Sequence, residues 1–170
     1  REKTVAALAE SGIQIALYGA GWDTCPWVRL PNVHYYGKVA AEKIVEKMQD
    51  AKVALNTMTW FKDGTHDRIL NGMLQGAVVV SDTSIYMEEE FSGFLSQEGC
   101  DERELILFQL QEISKLPEQV NRLLLDDALA QGIADRGYKK AKSGHMWAHR
   151  AMELKEGILD NRELMEYLHG

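Results

Sequence analysis

Val53-Ala54-Leu55-Asn56-Thr57-Met58 is followed by Gly64-Thr65-His66-Asp67-Arg68, then Ile69-Leu70-Asn71-Gly72-Met73-Leu74-Gln75-Gly76, then Ala77-Val78-Val79-Val80-Ser81-Asp82. The order reads as strand, short loop, helix, strand, with the helix predicted over roughly 66–75. A strand, a loop holding Gly, His and Arg, and then a helix is how an open α/β sheet builds an anion site. The first-turn N–H groups of a helix have no intrahelical partners and carry the positive end of its dipole. His66 and Arg68 add donors where a phosphate would lie. The stretch points to a phosphorylated ligand.

The same alternation extends outward. Residues 3–10 read as a helix with Val5, Leu8 and Ala9 on one face and Gly12 as its stop. Ile13 to Tyr18 is a buried-strand signal ending at the tight turn Gly19-Ala20-Gly21. Val33-His34-Tyr35-Tyr36, closed by Gly37, is a second strand, and Ala40 to Asp50 an amphipathic helix. Beyond Asp82 come a short acidic helix (Ile85 to Phe91), a strand (Glu104 to Phe108) and helices over Pro117 to Leu125, Asp127 to Lys142 and Trp147 to Tyr167. Strands alternating with helices over short links call for a doubly wound parallel sheet covered on both faces. Ligands on such sheets sit at the carboxyl ends of the strands. The strands read as apolar throughout, as burial on both sides requires.

With 170 residues, 45% hydrophobic and 26% charged, the chain suits one ordinary globular domain. Its net charge of −7 argues against general nucleic-acid binding. No run is long or apolar enough for a membrane span, and no signal peptide opens the sequence. Cys25 and Cys100 are too few for a disulfide framework or zinc site, so a reducing cytoplasm is expected. The sequence starts at Arg1 inside a helix pattern, and so reads as a piece of something longer.

With these pieces in order, the chain resembles the carboxyl-terminal half of a two-domain GT-B type glycosyltransferase, nearest the group 1 set that includes the spore-maturation CgeB-like proteins. The resemblance rests on Leu17-Tyr18-Gly19-Ala20-Gly21-Trp22, His34-Tyr35-Tyr36-Gly37 and Asn56, and above all on the block from Gly64 to Asp82. A closing segment, His145 to Ala151, resembles a helix start near the family's end. The similarity runs from about Ile13 to about Leu154.

The resemblance implies that the 170 residues form a single Rossmann-like, nucleotide-sugar-binding domain with carboxyl-terminal helices over about 117–168. It also implies that an acceptor domain and the first strand of this half precede residue 1. The implied donor is a nucleoside diphosphate sugar, a UDP-sugar, and the implied acceptor a sugar or protein hydroxyl. On the same grounds Gly64, Thr65, His66 and Arg68 face the donor diphosphate, with His66 and Arg68 as the catalytic candidates. Asp63 and Asn71 occupy the two positions of an E-x7-E motif that, in the family, holds the donor's ribose or sugar. Both depart from it, since Asp is shorter and Asn is neutral, though Asn still hydrogen-bonds a hydroxyl. Asn56, Gly37 and Lys38 complete the implied donor-binding set, the last two bordering the base. No metal and no bound cofactor is expected. A non-catalytic nucleotide- or phosphosugar-binding module is the alternative reading.

Plainer roles compete at several positions. His66 and Arg68 also suit a capping histidine and a surface ion pair. Asn56 is either a loop-fixing amide or a ligand contact, and Ser81-Asp82 either a cap for the next helix or a sugar contact. Asp126-Asp127 reads as solvated surface within a helix. Glu88-Glu89-Glu90 suit a helix's solvated first turns. His145 and His149, four apart, lack a third metal ligand and read as packing or surface. Trp22, Trp27 and Trp60 are packing residues or, for one of them, a stacking platform. Met58, Met73 and Met87 read as core, and neither cysteine has a neighbouring base.

Overall fold

The computed structural model of the chain describes residues 1–58, 63–94 and 101–160. Trp60, Cys100 and the end of the expected terminal helices, 161–168, lie outside them. Among the described residues five strands are formed: β1 (Ile15–Tyr18), β2 (Val33–Gly37), β3 (Val53–Asn56), β4 (Val78–Asp82) and β5 (Ile106–Phe108). All their pairings are parallel, with β1 beside β2 and β4 between β3 and β5. The helices are α1 (Glu2–Glu10), α2 (Ala41–Gln49), α3 (Asp67–Leu74), α4 (Ile85–Glu90), α5 (Leu116–Leu125), α6 (Asp127–Gly144) and α7 (Trp147–Asp160). The expected α/β order is therefore present, with described boundaries moved by at most two residues.

The period-two alternation of a strand sends neighbouring side chains to opposite faces, and β4 shows the consequence. Val78 and Val80 join Ile106 and Phe108 against Leu116, Val120 and Leu123 of α5 and Ala130, Ile133 and Ala134 of α6. Val79 and Leu107 face the other way, packing with Ile69 and Met73 of α3, Met87 of α4, Phe91 and Met58. Each of the larger buried side chains among them (Val, Leu, Ile, Phe, Met) contributes about 1.5–3 kcal/mol. A helical layer on each face is what doubly wound means physically. Gly72 lets α3 lie close to the sheet, because a Cβ there would stand 2.8 Å from Val79 and 3.3 Å from Ala54.

Uniform strand burial, expected from the sequence, holds only for β4 and β5. β2 instead alternates, with Val33 buried and His34 and Tyr36 exposed, so one of its faces is open to solvent. Nor is the backbone ladder continuous among the described residues. The two-stranded and three-stranded sheets meet through Ile15 and Leu55, which pack into both the β4–β5 core and a separate cluster around β1. That cluster holds Val5, Ala9, Leu17, Trp22, Cys25, Trp27 and Val33, with the two indoles edge-to-face at 5.6 Å. Asn32 staples it, donating from Nδ2 to the carbonyls of Ala9 (2.8 Å) and Ile13 (2.7 Å).

Asp126-Asp127 is corrected in detail. Asp126 interrupts the helix instead of lying within it: its carboxylate accepts from the Leu129 amide at 2.9 Å and caps α6. Asp127, though 97% exposed, takes the Lys52 ammonium at 2.5 Å, which holds its carboxyl below the usual range. α6 then crosses the amino end of β5, where a Cβ on Gly137 would run into the Glu104 carbonyl oxygen. Gly137→Ala is expected to cost on the order of 1–2 kcal/mol, overpacking outweighing alanine's better helix propensity. A lower urea midpoint at unchanged slope is the readout.

Candidate functional site

Parallel strands bring all their carboxyl ends to one edge, and the sheet's buried polar groups gather there. Asn56, the last residue of β3, stands opposite Ser81 of β4. Its Nδ2 donates to Ser81 Oγ at 3.0 Å, and that hydroxyl spends its single proton on the Asp82 carbonyl at 2.9 Å. The Asp82 carboxylate, 4% exposed, accepts from the Met58 amide at 2.6 Å. The chain leaving β3 is thereby clamped to β4. Ser84 caps α4 by accepting from the Met87 amide at 3.2 Å, and donates to the Gly64 carbonyl at 2.6 Å. The loop entering α3 hangs from the cap of α4. The cap expected of Ser81-Asp82 is not there: Ser84 is the cap of α4, and the pair ties two strand ends together.

His66 is the N-cap of α3, with extended backbone at φ −114° and ψ 142°. Its Nδ1 lies 3.2 Å from the Arg68 amide and also contacts the Asp67 carboxylate. One nitrogen serves one of these at a time. Bare, Nδ1 accepts from the amide; protonated, it pairs with Asp67. Arg68 is half-buried, and its Nε, like Thr65 Oγ1 and Asn56 Oδ1, is buried without a hydrogen-bond partner. Burial first, and then the charge of Arg1, push the Arg68 guanidinium below its ordinary range, against the opposing pull of Asp67. A cation desolvated beside a second cation is short of negative charge. Arg1 itself lies over Trp22, 4.2 Å from the ring centroid, and the Trp22 indole donates to the Tyr18 carbonyl at the end of β1.

The remaining expected residues divide. Asn71 is partly buried on α3, three residues beyond Arg68 and so on the same side of the helix. Asp63 is exposed ahead of the loop. Gly37 and Lys38 stand at the end of β2 with the glycine turn of β1. The Gly19 amide donates to the Gly37 carbonyl at 2.7 Å and the Tyr35 hydroxyl to the Gly19 carbonyl at 3.0 Å. Gly19 (φ 107°), Gly21 (φ 86°) and Gly37 (φ 70°) all adopt the left-handed backbone that favours glycine. Asn56, Gly64, Thr65, His66 and Arg68 thus share the β3–β4 edge, with Arg1 and Trp22 linking Arg68 to the end of β1.

Arg1 and Ser84 are not among the residues expected from the sequence. Ser84 carries a legible signal, a serine directly before a short helix. Arg1 carries none, because its role comes from contact between distant segments. Trp22 and Trp27 are buried in the β1 cluster, 6% exposed each, and serve as packing. Met58, Met73 and Met87 are core, as expected. Glu88-Glu89-Glu90 fill the second half of the six-residue α4, Glu88 in its first turn; Glu88 accepts from the Thr83 hydroxyl and Glu90 pairs with Lys140 at 2.8 Å. His145 terminates α6 while His149 lies in α7, accepting from the Met146 amide, so the two belong to different helices. Among the described residues no group of three or more His, Cys, Asp or Glu is placed to hold a metal ion. Cys25 is buried and its thiol pushed up by that burial and by Glu2, which makes it a poor nucleophile. No helix among the described residues is long and apolar enough to cross a membrane.

Ser84→Ala removes a cap and the anchor of Gly64 together. A loss of about 1–2 kcal/mol is expected in chemical denaturation.

Comparison with known proteins adds to this geometry. No curated protein matches the chain in sequence. The profile of a family described as glycosyl transferase-like matches residues 1–156. Among solved structures, the fold is similar to Anabaena HepE, determined in complex with UDP, with a TM-score of 0.72 at 19% identity over 93% of this chain and 44% of that one. Sucrose-phosphate synthase from Thermosynechococcus elongatus gives 0.71 at 17% identity, covering 98% of this chain and 42% of that one. The GtfA/B complex gives 0.61 at 15%, covering 91% and 33%. The chain thus spans less than half the length of each, and the likeness establishes a shared α/β fold.

Proposed function

The chain belongs to the glycosyl transferase-like family, and from that premise we propose that it is the donor-binding half of a GT-B glycosyltransferase of the group 1, CgeB-like kind. The observation that carries the reading is Arg68, a half-buried guanidinium with an unpartnered Nε at the amino end of α3, pressed by a second cation. A diphosphate supplies the charge that these groups lack. That HepE was solved with UDP favours a UDP-sugar as the donor. The chain covers 44% or less of these structures, which leaves room for the acceptor domain that the family resemblance puts ahead of this half.

The reaction is displacement of a nucleoside diphosphate from the sugar's anomeric carbon by an acceptor hydroxyl. Negative charge builds on the departing diphosphate. Arg68 and the first turn of α3, with the His66 ring beside them, form a fixed positive site that stabilises that charge without reorganising. Asn56 Oδ1, held by Ser81 and unpartnered, is an acceptor for a donor hydroxyl. Gly37 and Lys38 border the base, and Asp63 and Asn71 the ribose or sugar.

A second reading, a binding module without turnover, is favoured by one specific departure: Asn71 is neutral where a carboxylate would grip the donor. Titration calorimetry with UDP, GDP, ADP and dTDP tests the shared part of both readings. Saturable binding of a nucleoside diphosphate supports a donor site, and binding of none of the four contradicts it. Residues 1–170 alone are expected to transfer no sugar, because the acceptor wall is missing. Transfer by this piece in a donor-hydrolysis or acceptor assay would overturn that expectation.

A further inference from the structure

Away from the donor site, His145 is a buried titratable group, 8% exposed, at the junction of α6 and α7. Its ring stacks on Phe91 at 5.2 Å. Nε2 lies 3.1 Å from the Glu90 carboxylate on α4, and Nδ1 lies 2.8 Å from the Arg150 guanidinium on α7. An arginine only donates, so Nδ1 must present its lone pair, and the proton sits on Nε2, facing Glu90. Both nitrogens are satisfied only in the neutral ring. α7 buries no residue of its own, and Trp147 (90%) and Leu154 (66%) are exposed on it, so Arg150 is a principal tie to the body. We infer that His145 is a protonation-controlled latch: neutral, it ties Arg150 and α7 to α4, and a proton taken up on Nδ1 expels the guanidinium and frees α7.

The surroundings set the direction. Glu90 and Tyr86 face the junction from α4, Lys140 from α6, Arg150 and Glu153 from α7, with Glu104 near Lys140. Glu90 favours the charged ring, but its carboxylate is already engaged by Lys140 at 2.8 Å. Burial first, opposed by Glu90 and aided by Arg150 and Lys140, holds His145 below its ordinary range. A base with a lowered folded value is stabilising above its unfolded value of about 6.5, and the contribution fades as pH falls from there toward the folded value.

Hydrogen exchange of the α7 amides at pH 7.5 and 5.5, corrected for intrinsic rates and with α3 as internal control, tests the latch. On acidification, protection of α7 should fall on the order of tenfold while that of α3 holds. In His145→Asn, whose Oδ1 accepts from Arg150 and cannot protonate, α7 protection should be the same at both values. In Arg150→Gln it should be low at both. Unchanged protection of α7 in the natural sequence, or a pH response that survives in His145→Asn, overturns the inference. Should His145→Asn fail to fold, imidazole nitrogen shifts of the natural chain decide: loss of the Nδ1 lone pair must share its midpoint with the rise in α7 exchange, and separate midpoints refute the latch.

Discussion

Arg68→Ala is expected to weaken UDP binding by about 30- to 150-fold, the loss of a charge-assisted interaction of about 2–3 kcal/mol. Thermal stability should stay level or rise. The reason lies in the geometry of the free site. Arg68 is desolvated, its Nε is unpartnered and Arg1 repels it, so truncation removes a poorly compensated charge from the fold while removing a donor from the ligand. Arg68→Lys separates charge from shape. It keeps the cation but not Nε or the planar fork, and should retain binding intermediate between the two. Calorimetry paired with thermal melting reads both quantities. Undiminished affinity in Arg68→Ala would remove this residue from the diphosphate.

Asp82→Ala carries the largest expected effect on the fold, a loss of about 2–3 kcal/mol. The carboxylate is 4% exposed and accepts from the Met58 amide at 2.6 Å, so alanine strands a buried N–H as well as deleting the clamp. Asp82→Asn keeps an acceptor oxygen and should lose about 1 kcal/mol. Because the clamp fixes the chain that leads from β3 toward α3, UDP affinity should fall in Asp82→Ala as well. Urea unfolding measures the first effect and calorimetry the second. A wild-type urea midpoint in Asp82→Ala would show that the strand ends hold together without it.

The elements legible in the sequence are those whose periodicity is set by local burial. Val78-Val79-Val80 reads as a doubly buried strand, and Ile69 and Met73, four apart, as one core-facing side of a helix. His66 is legible as a candidate because a helix start advertises itself locally, and it does cap α3. Contacts between segments far apart in the chain leave no such local mark. Asp82 meets Met58 across 24 residues, and His145 meets Glu90 across 55. The open face of β2 is also invisible, since Val33-His34-Tyr35-Tyr36 looks the same whether or not a layer covers that face. Asp126 misleads for a different reason. A capping aspartate between two helical patterns mimics continuous helix until its φ of −113° is seen.

A crystal structure of the chain soaked with UDP tests the central claim most directly. The diphosphate should lie at the amino end of α3, within hydrogen-bond distance of the Arg68 guanidinium and of the first-turn amides of α3. UDP bound instead at the amino edge of the sheet, in the cavity of about 260 Å3 beside Lys52, Gly76 and Gln131, would contradict it.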